Sequence, residues 1–94
     1  MKMVYKYPLE IGGFLEVEMP RGAIILSVQA QWEVICLWVL VDLEDAPEKR
    51  YFRVAGTGHP INHPVKQFIG TVQLLRGTLV FHVFEVEPLT GRKP

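Results

Sequence analysis

Between Val34 and Val41 the chain reads VICLWVLV, eight apolar residues without a break, and this run limits the fold more than any other feature. In a strand, where successive side chains point to opposite faces, it sets Val34, Cys36, Trp38 and Leu40 on one side and Ile35, Leu37, Val39 and Val41 on the other. Such a strand needs cover on both faces. The run is also far short of the roughly 20 apolar residues that span a bilayer.

The rest of the chain repeats with period two. MVYKYPLE reads as an edge strand that Pro8 helps to end, because proline cannot donate to a ladder. FLEVEM alternates Phe14 and Glu16 with Leu15 and Val17, and PRG at residues 20–22 is a turn. AIILSVQAQ sets Leu26, Val28 and Ala30 against Ser27, Gln29 and Gln31, the pattern of a half-buried strand. LEDAPEKR is a charged loop, and RYFRVAG is a further strand. QFIGTVQL and TLVFHVFEVE form a hairpin closed at Leu75, Arg76 and Gly77. Gly70, inside one of these strands, marks a bulge or a close packing contact.

With about seven short strands and no stretch of helical period, the chain reads as all-β, its antiparallel strands forming a compact sandwich or a partly open barrel. Residues 1–88 make one β domain and 89–94 a flexible tail. The last strand is apolar on both faces, with Leu79, Phe81 and Val83 opposite Val80, His82 and Phe84. A small sandwich offers one inner face per sheet, so the two greasy strands call for a second copy of the chain as cover; a coiled barrel, a loop or a short helix would serve the same end.

Ten basic and ten acidic residues cancel, leaving no field that would hold DNA, RNA or anionic lipid without specificity. Cys36 is the single cysteine, so an internal disulfide and a multi-thiolate zinc site are excluded. A reducing compartment fits. The N-terminus has no signal-peptide run, and the chain is expected to be soluble in the cytoplasm.

FRVAGTGHPINHPV, residues 52–65, concentrates glycine, histidine and proline. It lacks the lysine and hydroxyl of a nucleoside-triphosphatase loop, and Ile61 stands where a dinucleotide fingerprint needs glycine. His59 and His63 lack a placed third ligand for a metal. Cys36 in an apolar strand stays a protonated, inert thiol, and the carboxylates are scattered along polar faces and loops. No catalytic constellation, metal site or cofactor is predicted. Binding is better served. Arg50, Arg53, Lys66 and Arg76 are cations near turns, Trp32, Tyr51 and Phe68 offer stacking faces, and the amides around Gly56, Thr57, Gly58 and His59 can form an anion nest. Arg53 with those amides, Tyr51 and Lys66 make the expected ligand site, for a small phosphorylated molecule. Pairing of Arg53 with a cross-strand carboxylate is the simpler alternative.

The blocks EMPRGAIILSVQAQ, CLWVLVD, FRVAGTGHPI, FIGTVQL and LVFHVFE, in that order across nearly the whole chain, resemble a group of small tailed-bacteriophage and prophage proteins known as a domain of unknown function. Relatives tend to turn at a glycine or asparagine before the CLW block. Here the connection is Gln31, Trp32 and Glu33. The resemblance implies a phage accessory protein acting in the host cytoplasm. By analogy with other small phage proteins, it would blunt antiviral defence as a homo-oligomer that sequesters a cyclic nucleotide or ADP-ribose-type signal without turning it over. The alternatives are an inhibitor that clamps a host protein and a minor virion component.

Overall fold

A computed structural model of the chain describes residues 1–89; apart from Leu89, the expected tail lies outside them. Seven antiparallel strands run in chain order: β1 (Lys2–Leu9), β2 (Phe14–Pro20), β3 (Ile24–Gln31), β4 (Val34–Asp42), β5 (Pro47–Gly56), β6 (Val65–Leu74) and β7 (Leu79–Val86). They form a three-stranded sheet ordered β1-β4-β3 and a four-stranded sheet ordered β2-β5-β7-β6. The sheets face each other as an open sandwich and do not close into a barrel.

The inward half of the VICLWVLV run supplies the centre of the core. Ile35, Leu37, Val39 and Val41 are buried against Phe52, Val54, Val72, Leu74 and Val83 of the opposite sheet, with Met19 and Leu9 at the margins. Each such side chain contributes about 1.5–3 kcal/mol through removal from water. The outward half fares differently. Cys36 is buried, Trp38 and Leu40 are half-covered, and Val34 is exposed. The two-sided pattern is real, and one side of it lacks a second sheet.

Three strand boundaries or faces differ from the sequence reading. Pro8 lies inside β1 rather than ending it, paired with Cys36 of β4. It is tolerated because β1 is a sheet edge, where a missing N–H breaks no ladder. β5 begins at Pro47, so the charged segment Glu48–Arg50 is strand and not loop; it is held by β2, with Glu18 opposite Lys49 and Val17 opposite Arg50. In β3 a register shift between Ile25 and Ser27 separates residues that strict alternation had grouped. Val28 packs on the core, whereas Leu26 stands 52% exposed.

Two turns place residues other than glycine or asparagine in the left-handed region. Trp32 and Glu33 have φ of 52° and 65°, the sign at both central positions that a two-residue hairpin needs to match strand twist. Leu75 and Arg76, at 50° and 56°, begin the β6–β7 connection, and Gly77 at 84° completes it. The turns brace each other: the Leu75 amide donates to Glu33 Oε1 at 2.8 Å. Nearby, β3 meets β6 along one flank of the sandwich. A Cβ on Gly70 would lie 2.7 Å from Val28 Cγ1, so only glycine lets the two edge strands approach this closely. The same glycine ends a bulge that starts at Phe68, as its place inside a strand foretold.

Candidate functional site

The expected ligand residues do not converge. Tyr51 and Lys66 line a cleft of about 590 Å3 at one end of β5, with Gly22, Ala23, Lys49, Arg50 and Glu85. Gly56, Thr57 and His59 line a smaller one of about 320 Å3 at the other end, with Leu79, Val80 and Phe81. Tyr51 and Gly56 are five strand residues apart, about 17 Å. One small ligand cannot touch both.

Arg53 and the loop amides are engaged internally. The Arg53 guanidinium donates to Val54 O at 2.7 Å and to Pro60 O at 3.0 Å, two carbonyls in place of the cross-strand carboxylate weighed above. The Thr57 amide donates to Val80 O at 3.4 Å and the His59 amide to Gly56 O at 3.0 Å, while Gly58 turns the chain at φ 87°. With the Thr57 and His59 amides both used inside the fold, the expected anion nest loses two of its donors.

Histidine placement follows the same logic of use within the fold. His59 is exposed. His63 is half-buried: its ring stacks on Phe14 at 4.3 Å, and Phe14 stacks on Tyr51 at 5.3 Å. This column pins the loop to the outer face of the four-stranded sheet and leaves His63 Nδ1 buried without a partner. His82, from β7, meets a threonine hydroxyl at each nitrogen, Thr57 Oγ1 at 2.7 Å from Nε2 and Thr71 Oγ1 at 3.1 Å from Nδ1. In a neutral ring one nitrogen donates and the other accepts, so both hydroxyls are satisfied. Among the described residues no group of three or more His, Cys, Asp or Glu side chains is arranged to hold a metal ion.

The larger cleft has a charged floor. Glu85 lies on the inner face of β7, opposite Phe52 of β5, and only 4% of its side chain is exposed. Arg50 grips it with Nε and Nη2, both at 2.8 Å, and Nη1 donates to Ala23 O at 2.6 Å. Such a fork is the strongest ion-pair geometry. Its hydrogen bonds hold the Glu85 carboxyl below the ordinary glutamate range against the opposing effect of burial, and the same bonds raise Arg50. Lys66 Nζ stands 4.0 Å from Glu85, while Lys49 is 3.7 Å from Glu16 in solvent. The Arg50–Glu85 pair had one signal in the sequence. Phe81, Val83 and Glu85 share a strand face, so a strand facing the core with period two carries a carboxylate inward, and an inward carboxylate demands an arginine.

The outer face of the three-stranded sheet is of another kind. Val4, Leu40 and Ile24 are register neighbours in a row across β1, β4 and β3, and Val4 and Ile24 are 54% and 55% exposed. Lys6, Trp38 and Ser27 form the next row. Beyond it the face is strapped: Lys6 Nζ crosses β4 to donate to Gln31 Oε1 at 2.8 Å, and Cys36 is buried between Pro8 and Gln29. The strap covers one half and leaves the apolar half bare.

A family model described as a domain of unknown function, DUF7352, matches residues 1–93. No curated protein and no solved structure matches the chain.

Proposed function

The chain belongs to the DUF7352 family, and from its geometry we propose that it is a non-enzymatic accessory protein that acts by binding, as a homo-oligomer formed through the outer face of β1, β4 and β3. The observation that carries this is the bare row of Val4, Leu40 and Ile24, with Leu26 and Trp38 beside it. A contiguous apolar patch is costly to leave in water and marks interaction sites on soluble proteins. A second copy is the simplest occupant, because it presents the same patch. Light scattering behind size exclusion tests the reading with Ile24→Glu: the wild-type chain elutes at a multiple of the protomer mass and the variant at the protomer mass. A wild-type protomer mass at every concentration removes the proposal.

A second reading rests on the larger cleft. Its volume is that of a small-molecule site, and Lys66, Lys49, Tyr51 and Arg50, the last with two N–H groups unused, line it. A phosphorylated nucleotide of the cyclic or ADP-ribose type would set phosphate on the cations and its base on the tyrosine. The phage kinship implied by the sequence blocks gives that binding a purpose, sequestering a defence signal in the host cytoplasm. Clamping a host defence protein, or a minor place in the virion, would use the apolar face instead. Calorimetry with cyclic dinucleotides and cyclic ADP-ribose isomers separates these: heat that weakens at least about tenfold in Lys66→Ala supports the cleft, and no heat with any of them removes it.

A further inference from the structure

Three strands about 4.8 Å apart, each of roughly eight residues at about 3.4 Å, give the apolar sheet an outer face of roughly 390 Å2. That is about half of what a standard interface takes from each partner. An interface built on this face therefore continues past a sheet edge. β3 is closed against β6 at Gly70 and Val28, whereas β1 pairs with β4 alone.

The polar groups of this edge can be assigned. The Leu43 amide donates to Met1 O at 3.3 Å, continuing the register in which Lys2 faces Asp42 and Met3 faces Val41. Hydrogen-bonded pairs alternate along an antiparallel ladder, so Met3, Tyr5, Tyr7 and Leu9 bond to β4. Lys2, Val4 and Lys6 turn N–H and C=O outward, and Pro8 turns out its carbonyl. Proline without a donor sits at one of the positions where β4 requires none. Apolar side chains stand exposed on both sides of this rim, Val4 on the outer face and Met3 and Tyr5, each 41% exposed, on the inner one.

We propose that two copies of the chain join through β1, antiparallel about a two-fold axis at Tyr5, merging their three-stranded sheets into one of six strands. The proposal rests on the homo-oligomer reading above and adds a second contact to it: edge pairing leaves the outer face uncovered but doubles its area, and two such pairs bury it face to face. Charge selects the register. Centring the pair on Val4 sets Lys2 against Lys6 of the second copy, centring on Lys6 sets that lysine against itself, and like charges directly opposite repel. Centring on Met3 pairs only the first five residues. Centring on Tyr5 sets Tyr5 against Tyr5, Met3 against Tyr7, Val4 against Lys6 and Lys2 against Pro8 of the second copy. No like charges face each other, a thioether meets an aromatic ring, and Val4 and Lys6 exchange backbone hydrogen bonds at two symmetric places. Ile24, Leu40 and Val4 then stand in line with Lys6, Trp38 and Ser27 of the second copy, so the two apolar rows lie diagonally side by side across the joint.

Disulfide trapping tests it. Directly opposed residues of a non-hydrogen-bonded antiparallel pair have Cα atoms about 4.5 Å apart, within disulfide reach of about 4.4–6.8 Å. In the full chain with Cys36→Ser, Tyr5→Cys is expected to give a linked dimer as the main product of mild oxidation, while Val4→Cys and Lys6→Cys stay unlinked. Val4→Pro, which deletes a rim N–H, is expected to weaken self-association of the otherwise unchanged chain at least about tenfold. Equal cross-linking at all three positions, or an unchanged association in Val4→Pro, overturns the edge pairing. If Ile24→Glu dissolves the oligomer while neither β1 test responds, the edge register falls and the homo-oligomer stands; a monomeric wild-type chain defeats both.

Discussion

Replacing Glu85 with glutamine removes one charge from the floor of the larger cleft while keeping the shape. Glu85 accepts two hydrogen bonds of 2.8 Å from a guanidinium, each of the charge-assisted kind that contributes about 1.5–3 kcal/mol. Glutamine keeps one carbonyl oxygen, so one bond survives in weaker form, and Arg50 is left charged without a counter-ion. Removing one partner of a fully buried pair costs about 3–5 kcal/mol. The Arg50 side chain is 17% exposed, so water recovers part of that and the expected loss is about 2–3 kcal/mol. For a domain of this size it corresponds to a fall in Tm of roughly 10–20 °C. The loss has a pH signature. Because the folded-state pKa of Glu85 is depressed, its contribution is present above the ordinary glutamate range, near pH 4.3, and disappears as pH falls through the lower folded-state value. Urea denaturation at pH 7 and near pH 3 reads both. The gap between wild type and Glu85→Gln should be full at pH 7 and smaller in acid, shrinking as pH falls below the ordinary glutamate range. A gap under about 0.5 kcal/mol at pH 7, the range of ordinary surface substitutions, or a gap that persists unchanged in acid, would refute the assignment of Glu85 as a charged, arginine-bound carboxylate. Replacing both partners, Arg50→Met with Glu85→Leu, should restore most of the stability, since an apolar pair of similar volume rarely loses to a buried ion pair.

Gly70→Ala places a methyl 2.7 Å from Val28 Cγ1 and should cost about 1–3 kcal/mol by overpacking; combining it with Val28→Ala should recover part of that, and strictly additive losses in denaturant melts would contradict the contact. Trp32→Asn should raise stability by about 0.5–1 kcal/mol, because Trp32 is 92% exposed and left-handed, a conformation asparagine adopts more readily; a lower Tm would show that the indole makes a contact that matters. Arg53→Ala should loosen residues 57–64 through loss of the Pro60 anchor, with faster amide exchange in that loop and a global loss of about 1 kcal/mol; unchanged exchange there would contradict the anchoring role.

The sequence spoke clearly about strands and poorly about their company. Alternation placed six of the strands because side chains on a pleated surface obey a fixed period, and the run around Leu37 announced a strand apolar on both faces. It could not say that Leu26 would slip out of phase, since a bulge depends on how β3 meets β4 and not on any residue within β3. Pro8 looked like an end because its missing donor counts against it everywhere except an edge, and edge status is a property of the sheet. The ligand site failed to assemble for a related reason. Tyr51, Arg53 and Gly56 are near in sequence, but a strand extends them over many ångströms and turns Arg53 toward the carbonyls of its own loop. The Arg50–Glu85 pair, far apart in the chain, had to await the register of β5 against β7.

The central claim is that the chain does not exist alone in solution. Sedimentation equilibrium of the wild-type protein, over a concentration range from about 1 to about 100 μM that spans weak and tight protein interfaces, measures this directly. The account predicts a mass at an integral multiple of the protomer at the upper end, with dissociation toward the protomer on dilution. A single protomer mass throughout would contradict it.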